Sequence, residues 1–513
     1  MFGIAQAPTR KSRLFPEMHR VSQIAQGTLP NDPFLGSSDT PVVVGATPDK
    51  AALYSQWYIF RCKADQAWNT VTGKGVTVAV IDGGFDARHQ DLQPNVNWTY
   101  DAVTKKTDLG SHSFQEMKHG TAAAGLAAAA GNDETGVAGF AYESNLWLVQ
   151  VNSANLTDMA KAIDEVVAKR SSAGNPPVVL SISMQLSAPG VASATLDSTP
   201  IPDTDPDGKL RKAIDNAIAA GVVVCIIAGN DDAKNQGRDV GTDLGDEAFS
   251  PSEAIVVSAT SYDPVTKNSL RLPSSNWGPG VTLCAPGDFL KDTVCAPQPA
   301  NYSFFFGATS SAAPKVAGVA ALILETNPTL TPGHVKAILN GSGAFLDTQE
   351  PAKPIGPFLD ALTAVQQASV PSTGSHLVAN RFLNFGNVNS GSKSPVQLLK
   401  VFNIGKAAAT LNSISLASGH NEFNFVGPSP FPITLTPNGP PAIFQVTFQP
   451  TTTDDKLGTY DLLSNDSASP MQVVCTGTGQ WNISDFLRKF GWALAIIGVA
   501  GLIVLILILA HVI

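Results

Sequence analysis

Short apolar runs alternate with amphipathic segments from Gly75 to about residue 370. Five of the runs are rich in β-branched residues and end in polar or glycine-rich residues: GVTVAVIDGG, NLWLVQV, PPVVLSIS, GVVVCIIAGN and AIVVSAT. Helix-like segments such as LTDMAKAIDEVVAKR and GKLRKAIDNAIAAG lie between them. This alternation predicts an α/β fold, a parallel sheet with helices on both faces, in which ligands bind at the carboxyl ends of the strands.

The pattern changes after PSTGSH, a linker at residues 370–376. Alternating strands without amphipathic helices follow: VQLLKVFNIG, TLNSISL, AIFQVTFQP, YDLLSND and MQVVCTGTG. They predict an all-β sandwich over residues 377–479. Residues 1–50 are rich in Pro, Ser, Thr and Gly and predict an extended arm or a short pro-segment, so the α/β domain is expected over residues 51–369.

A third pattern occupies the C-terminal end, where a polar neck at residues 480–489 leads into an apolar stretch at residues 490–513. The stretch reads FGWALAIIGVAGLIVLILILAHVI and contains no Asp, Glu, Lys or Arg. Because about 20 residues cross a bilayer core, it predicts a transmembrane helix, in preference to a buried core helix. Arg488 and Lys489 precede it and no secretory signal is recognisable, which favours a membrane anchor with the α/β domain on the cytoplasmic side.

Composition narrows the class of partner. Charged residues are 15% and hydrophobic residues 43% of the chain, which is typical of well-buried globular domains. The net charge of −9 argues against a nucleic-acid partner, because the long-range field repels polyanions. Five cysteines lack the spacing of a zinc site. Cys225 is expected in the core, whereas Cys284 and Cys295 are either free or joined by a loop disulfide.

Reactive side chains stand at the ends of three of these elements: Asp82 in VAVIDGGFD, His119 in KHGTAAAGLAAAA, and Ser310 in GATSSAAPKVAGVAALIL. Each has an ordinary structural interpretation. Asp82 would cap a turn, His119 would begin a helix, and Thr309 or Ser310 would cap a helix with Pro314 in its first turn. Together they predict more, because a serine becomes a nucleophile when an imidazole accepts its proton and a carboxylate orients that imidazole.

The motifs, taken with their order Asp, His, Ser, resemble the subtilisin-like serine protease family over about residues 50–367. Asp82 matches the family's Asp-Ser/Thr-Gly motif, His119 its His-Gly-Thr motif, and Ser310 its Gly-Thr-Ser-Met-Ala-Ala-Pro motif. Asn230, in CIIAGNDD, matches the asparagine with which the family holds the oxyanion. The resemblance therefore implies a subtilisin-like fold and a catalytic triad.

Four positions depart from the family motifs. Gly83 replaces a hydroxyl residue, Ala308 a glycine and Ser311 a methionine. The segment that lines the family's substrate cleft corresponds to Ser183, Met184 and Gln185. Gln185 replaces a glycine there, and its side chain either narrows the specificity pocket, adds a polar contact or points away.

The resemblance implies a serine endopeptidase that acts on polypeptides and needs no cofactor for its chemistry, and the apolar C-terminal stretch adds the expectation of a membrane anchor. Ser310 would attack the peptide carbonyl, His119 would transfer the proton, and Asp82 would orient His119. The rival hypothesis is a catalytically silent scaffold of the same fold that binds a protein partner at the membrane. Because fewer than 50 residues precede the region of resemblance, no independently folded inhibitory prodomain is expected.

Two further expectations come from resemblance. Asp91 in RHQDLQP, and Asn132 with Asp133 in AAGNDETGVAG, are similar to positions that bind a structural calcium in the family, although they suit ordinary turns as well. Residues 377–479 resemble the Ig-like domains of the ASPM, SPD-2 and hydin group, carried by LNFGNVNSG, LKVFNIGKAAATL, FQVTFQP, LLSND and VVCTGTG. Such a domain would either dock a protein partner or act as a spacer.

Overall fold

A computed structural model describes an α/β domain followed by a β-rich domain. The described residues are 29–46, 52–109, 114–151, 156–184, 208–230, 237, 239–240, 253–263, 265–266, 268–288, 294–298, 301–303, 306–346 and 350–481.

Part of the predicted N-terminal arm, residues 29–46, packs against the α/β domain. Two short strands pair antiparallel there: β1 (Val43–Ala46) and β2 (Ala52–Tyr54). Leu35 is buried in the core, and the Phe34 N–H donates to the Gly136 carbonyl over 2.9 Å. The described part of the arm is therefore fixed to the domain by both apolar and polar contacts.

An eight-stranded sheet forms the centre of the α/β domain. Its strands are β3 (Thr77–Asp82), β4 (Val96–Asp101), β5 (Asn145–Gln150), β6 (Val178–Ile182), β7 (Val223–Ile227), β8 (Ile255–Tyr262), β9 (Ser269–Arg271) and β10 (Leu283–Pro286). Their order is β10-β8-β7-β6-β3-β5-β4, all parallel, with β9 antiparallel to β8. The five predicted strands are confirmed as its contiguous interior, and β4 and β10 extend it at either side. A separate antiparallel pair comprises β11 (Val294–Cys295) and β12 (Tyr302–Ser303).

Helices cover both faces of this sheet. They are α1 (Trp57–Arg61), α2 (Ala64–Ala67), α3 (Phe114–Ala128), α4 (Leu156–Ser172), α5 (Lys209–Ala219), α6 (Ala308–Thr326), α7 (Pro332–Ser342) and α8 (Ala361–Ala368). Successive side chains of β3 point to opposite faces of the sheet and pack in two different apolar cores. Val78 and Val80 pack in the cluster that contains α3 and α6, whereas Ala79 and Ile81 pack in the cluster that contains α4 and α5. The predicted α/β layering is confirmed.

The C-terminal domain consists of two β-sheets around one apolar core. Its strands are β13 (Leu377–Ala379), β14 (Phe382–Asn389), β15 (Gln397–Asn403), β16 (Ala409–Gly419), β17 (Phe423–Val426), β18 (Ile433–Leu435), β19 (Ala442–Phe448), β20 (Asp455–Ser464) and β21 (Met471–Gln480). One sheet has the order β13-β15-β19-β17 and the other β14-β21-β20-β16-β18. The rings of Phe423 and Phe448 stack in the core with centroids 4.8 Å apart. The predicted β-rich region is confirmed, and its relation to Ig-like domains stays a prediction.

The β-rich domain packs directly on the α/β domain. Three of its apolar side chains lie in the core cluster of the α/β domain: Val378, Phe402 and Ile404. Arg381 donates from Nε to the Gly341 carbonyl at the end of α7 over 3.0 Å. The expectations of partner docking or a spacer did not anticipate that this domain is fastened to the α/β domain itself.

The predicted C-terminal transmembrane helix was wrong as part of the fold class. No helix in the described part of the chain is both long and apolar enough to cross a bilayer. Helix α6, with 19 residues, is strongly apolar, but its surface is buried in the α/β core instead. Residues 490–513, on which the prediction fell, lie outside the described residues.

Candidate active site

Asp82 and His119 form a hydrogen-bonded pair at the carboxyl end of the central sheet. Asp82 is the last residue of β3 and is buried, and His119 lies in α3 with a partly exposed ring. The His119 Nδ1–H donates to Asp82 Oδ2 at 2.8 Å and Oδ1 at 2.9 Å. With the proton on Nδ1, the Nε2 atom retains its lone pair and is the atom able to accept a proton.

The residues after His119 explain how α3 comes so close to β3. A Cβ atom on Gly120 would lie 2.9 Å from the Asp82 Cβ and would overlap the Gly84 carbonyl oxygen. The next residue, Thr121, accepts a hydrogen bond from the Asp86 N–H over 2.9 Å and so ties the loop after β3 to the helix. The His-Gly-Thr sequence therefore supplies the imidazole and also allows α3 to pack closely against β3.

Two opposing effects act on the pKa of His119. Burial lowers it, but the Asp82 carboxylate raises it through its charge and its hydrogen bond, and the net pKa is raised above the ordinary value of 6.5. The carboxylate therefore makes the imidazole a stronger base than burial alone would allow.

Ser310 is the third residue of α6, and its Oγ–H donates to the Ser183 carbonyl over 3.0 Å. The helix-capping interpretation of the hydroxyls is wrong, because Gly307 is the N-cap residue and no side chain caps the helix. Pro314 lies inside the helix and not in its first turn. Since proline has no N–H, it cannot donate to the Ser310 carbonyl four residues earlier.

Asn230, three residues beyond β7, lies next to the start of α6. Its Oδ1 accepts hydrogen bonds from the Thr309 N–H at 3.2 Å and from the Thr309 hydroxyl at 3.0 Å. These two donors fix the orientation of the amide, because they require its oxygen to face Thr309. The Asn230 NH₂ group then points away from Thr309. Thr309 was predicted only as a candidate helix cap and not as a partner of Asn230, and only its place beside Ser310 could have signalled this contact.

Comparison with known proteins gives the same assignment as the motifs. The profile described as "Subtilase family" matches residues 73–356, more than half of the 513 residues. The chain belongs to the subtilase family. The whole match lies within the α/β domain, which contains Asp82, His119 and Ser310.

Individual relatives agree with this family. An extracellular protease of Xanthomonas campestris pv. campestris is 30% identical over 61% of this chain and 56% of the relative. A calcium-dependent protease of a Nostoc species is 27% identical over 60% of this chain and 49% of the relative. A solved protease of Pseudoalteromonas arctica is 26% identical with a TM-score of 0.50, covering 67% of this chain and 100% of that one. The matches with the two sequence relatives span about half of the length of those proteins.

Two departures from the subtilase motif lie on either side of Ser310. Ala308 has a φ of 56°, in the left-handed region that favours glycine and costs alanine about 1–2 kcal/mol. Ser311 accepts a hydrogen bond from the Lys315 Nζ over 3.0 Å, and Lys315 is fully buried. The same ammonium donates to the Pro286 carbonyl at 2.8 Å and lies 4.2 Å from the ring centroid of Tyr58. Ser311 thus solvates a buried charge, whereas nothing in the structure explains the preference for alanine at 308.

Replacing Ser311 with alanine is expected to destabilise this subtilase by about 1–3 kcal/mol, because the buried ammonium loses an acceptor. Replacing Lys315 with methionine in the same chain removes the charge that needed the acceptor. We therefore expect the double variant to be more stable than the Ser311→Ala single variant, as measured by urea denaturation of all members of the cycle. Additive losses would contradict the pairing.

The remaining predicted site residues are placed as follows. Ser183 and Met184 follow β6, and the Ser183 carbonyl contacts the Ser310 hydroxyl, but Gln185 lies outside the described residues. Phe306 was not predicted; its ring packs edge-on against His119 with centroids 5.0 Å apart. All five cysteines are free and buried, so the loop disulfide between Cys284 and Cys295 is not formed.

Asp91, predicted as a calcium ligand, is buried and its carboxylate already has protein partners. Oδ1 accepts from the Tyr302 hydroxyl and Oδ2 from the Val137 N–H, each over 2.9 Å. A Cβ atom on Gly136 would overlap both the Tyr302 hydroxyl and Asp91 Oδ2, so this corner is closely filled. Both Asp91 oxygens therefore already have protein donors, and His89 and Cys295 lie beside the carboxylate; Asp91 as a calcium ligand stays a prediction.

Proposed function

We propose that this subtilase is a serine endopeptidase that hydrolyses peptide bonds through an acyl-enzyme. The observation that carries the proposal is the hydrogen-bonded pair of Asp82 and His119 at the carboxyl end of β3. Ser310 supplies the hydroxyl, presented in the first turn of α6. The rival hypothesis of a silent scaffold is weakened, because the departures at Gly83, Ala308 and Ser311 leave all three of these groups in place.

The pair gives each proton a defined route. Ser310 Oγ exchanges its hydrogen bond to the Ser183 carbonyl for one to His119 Nε2, attacks the peptide carbonyl and gives its proton to Nε2. The imidazolium that forms is stabilised by Asp82 through the Nδ1–H. The same proton then passes to the leaving amine as the C–N bond breaks, and water releases the acyl group by the reverse roles.

The negative charge of the tetrahedral intermediate falls on the former carbonyl oxygen. Asn230 is the proposed donor, because its oxygen is held by Thr309 and its NH₂ group is directed away from that residue. The dipole at the N-terminus of α6 adds a favourable potential next to Ser310. We propose that polypeptide substrate lies along Ser183 and Met184, since the Ser183 carbonyl already contacts the nucleophile.

The test is to label the full chain with a fluorophosphonate probe and to identify the modified residue by peptide mass spectrometry. We expect a single adduct on Ser310, formed faster above the pKa of His119 than below it. No adduct, or an adduct on another serine, would favour the silent scaffold.

Subtilases commonly bind structural calcium, and we propose that this chain would hold it at Asp32 and not at Asp91. Asp32 is 5% exposed; its Oδ2 accepts from the Asn132 N–H at 2.8 Å, whereas Oδ1 has no hydrogen-bond partner among the described residues. Burial and, to a smaller extent, the charge of the Asp133 carboxylate together raise the pKa of Asp32 to about 6. A hard cation would satisfy an orphaned oxygen beside a second carboxylate. The ion would tie the arm to the loop that contains Asn132.

Calcium is expected to raise the melting temperature of chelator-treated wild-type protein, and Asp32→Asn is expected to abolish that rise. Saturation to 100 times the dissociation constant would stabilise the fold by about 2.7 kcal/mol. Asp91→Asn is the matched control, since Asp91 is a buried acid of the same region whose oxygens have protein donors. Melting temperatures with and without calcium decide the matter. A calcium response that survives in Asp32→Asn, or is missing in wild type, would contradict this assignment.

A further inference from the structure

Asn340, near the end of α7, joins the two domains through its side-chain amide. Its Nδ2 donates to the Thr282 carbonyl of the α/β domain at 3.0 Å and to the Phe382 carbonyl of the β-rich domain at 3.3 Å. Its Oδ1 accepts from the Phe382 N–H at 3.0 Å. Asn340 is 5% exposed, and both hydrogens of its amide are used. One side chain therefore couples the position of Thr282 to the position of β14.

Thr282 belongs to residues 275–287. This segment contacts the turn that carries Asn230 at one end and the turn that carries Ser310 at the other. At one end Ser275 forms a β-bridge with Asn230. The Asn276 side chain donates to the Ala228 carbonyl over 2.9 Å, and the Asn276 N–H donates to the Gly229 carbonyl over 3.0 Å. At this end the segment holds the turn that carries Asn230.

The other end of the segment holds the turn that carries the nucleophile. The Gly287 carbonyl accepts the Ala308 N–H over 2.8 Å, two residues before Ser310. The neighbouring Pro286 carbonyl accepts from the buried Lys315 Nζ of α6. Residues 275–287 thus contact both the oxyanion residue and the start of α6.

The middle of this segment borders a cavity on one side, and on the other side Thr282 is hydrogen-bonded to Val256 of β8. A cavity of about 180 Å³ lies between the domains, lined by Pro279, Gly280 and Val281 on one side and by Asn384 and Leu398 on the other. Next to a cavity, fewer side chains pack against the backbone. When a hydrogen bond there is lost, the backbone therefore has room to shift. The bond from Asn340 to Thr282 is placed where it can restrain that shift.

We propose that the β-rich domain positions Asn230 for transition-state stabilisation through Asn340 and residues 275–287. Asn340 is then a positioning residue, since it touches neither substrate nor the reacting atoms. The inference rests on the proposed function, and it assigns the β-rich domain a part in catalysis. Small displacements matter there, because a misplacement of about 1 Å costs roughly 10²-fold in rate and an oxyanion donor acts only at hydrogen-bonding distance.

The experiment measures kcat and KM on a peptide substrate for wild type, Asn340→Leu, Asn230→Ala and the double variant. Asn340→Leu keeps the volume and removes the bonds to Thr282 and Phe382. We expect it to lower kcat about tenfold with KM nearly unchanged, a fraction of the full misplacement penalty. In the Asn230→Ala background the same replacement is expected to change kcat less than about twofold, because the donor that it positions is already gone.

Arg381→Met is the matched control, because Arg381 is a half-buried interface residue that bonds to Gly341, beside Asn340, and not to residues 275–287. It is expected to lower the melting temperature while leaving kcat unchanged. Equal losses of kcat in Asn340→Leu and Arg381→Met would overturn the inference. So would a double variant whose loss of kcat equals the product of the losses in Asn340→Leu and Asn230→Ala. If Asn340→Leu does not fold, Asn340→Ser tests the same bonds. If Asn230→Ala keeps full activity, the oxyanion role of Asn230 fails and this inference fails with it. If wild type does not hydrolyse the peptide substrate, it is the proposed function that fails.

Discussion

Replacing Ser310 with alanine is expected to lower kcat about 10⁶-fold, because the replacement removes the atom that forms the acyl-enzyme. Substrate binding should change little, since the rest of the cleft is intact. The measurement is single-turnover and steady-state hydrolysis of a fluorogenic peptide, with circular dichroism to verify folding.

Ser311→Ala is the matched control for this variant. Ser311 is the adjacent residue, is buried and hydrogen-bonds to Lys315, so it has no access to substrate. Below its melting temperature the control is expected to keep kcat within a few-fold of wild type. If activity survived in Ser310→Ala and disappeared in Ser311→Ala, the assignment of Ser310 as the nucleophile would be wrong.

The sheet was predictable where its strands are buried on both faces. β3, β5, β6, β7 and β8 are nearly continuous apolar runs, and they are the contiguous interior of the sheet. β4 and β10 escaped prediction for a physical reason. β4 reads VNWTYD and is half-exposed at one edge, while β10 reads LCAP and is only four residues long, so neither carries the apolar signal of an interior strand.

The candidate site was predictable as far as its motifs carry their own chemistry. Asp82, His119 and Ser310 lie in such motifs. The residues that form hydrogen bonds with a site side chain and orient it, however, come from distant parts of the chain. Asp91 shows this, because its hydroxyl donor Tyr302 is 211 positions away in the sequence. Ser311 seemed an unexplained departure until the fold placed the Lys315 ammonium at its hydroxyl.

Two features cannot be read from the sequence alone. Apolar composition identifies a segment that avoids water, but it does not say whether lipid or protein covers that segment; helix α6, for example, is strongly apolar and is covered by protein. The docking of the β-rich domain was equally invisible, because Arg381 looked like an ordinary polar residue. Only the fold shows that its guanidinium packs against the end of α7, where desolvation lowers its pKa to about 10.

Asp82→Asn is expected to lower kcat about 10⁴-fold while leaving the nucleophile and its helix in place. An amide can donate to His119 Nδ1, which moves the imidazole proton to Nε2 and leaves no lone pair for the Ser310 proton. The measurement is kcat and kcat/KM as functions of pH. Asp101→Asn is the matched control, because Asp101 is also a buried acid at the end of a parallel strand, but its Oδ1 accepts from the N–H groups of Val103 and Thr104.

The pH profile separates an electrostatic role of Asp82 from a purely structural one. In wild type the Asp82 charge raises the pKa of His119 above 6.5, so the acid limb of kcat/KM is expected above that pH. Without that charge, burial is left to lower the pKa, and the residual activity of Asp82→Asn should persist to lower pH than that of wild type. A variant that merely loosened the fold would lose rate at every pH without moving the limb. An acid limb that stays in place or moves upward in Asp82→Asn would show that the carboxylate does not set the basicity of His119.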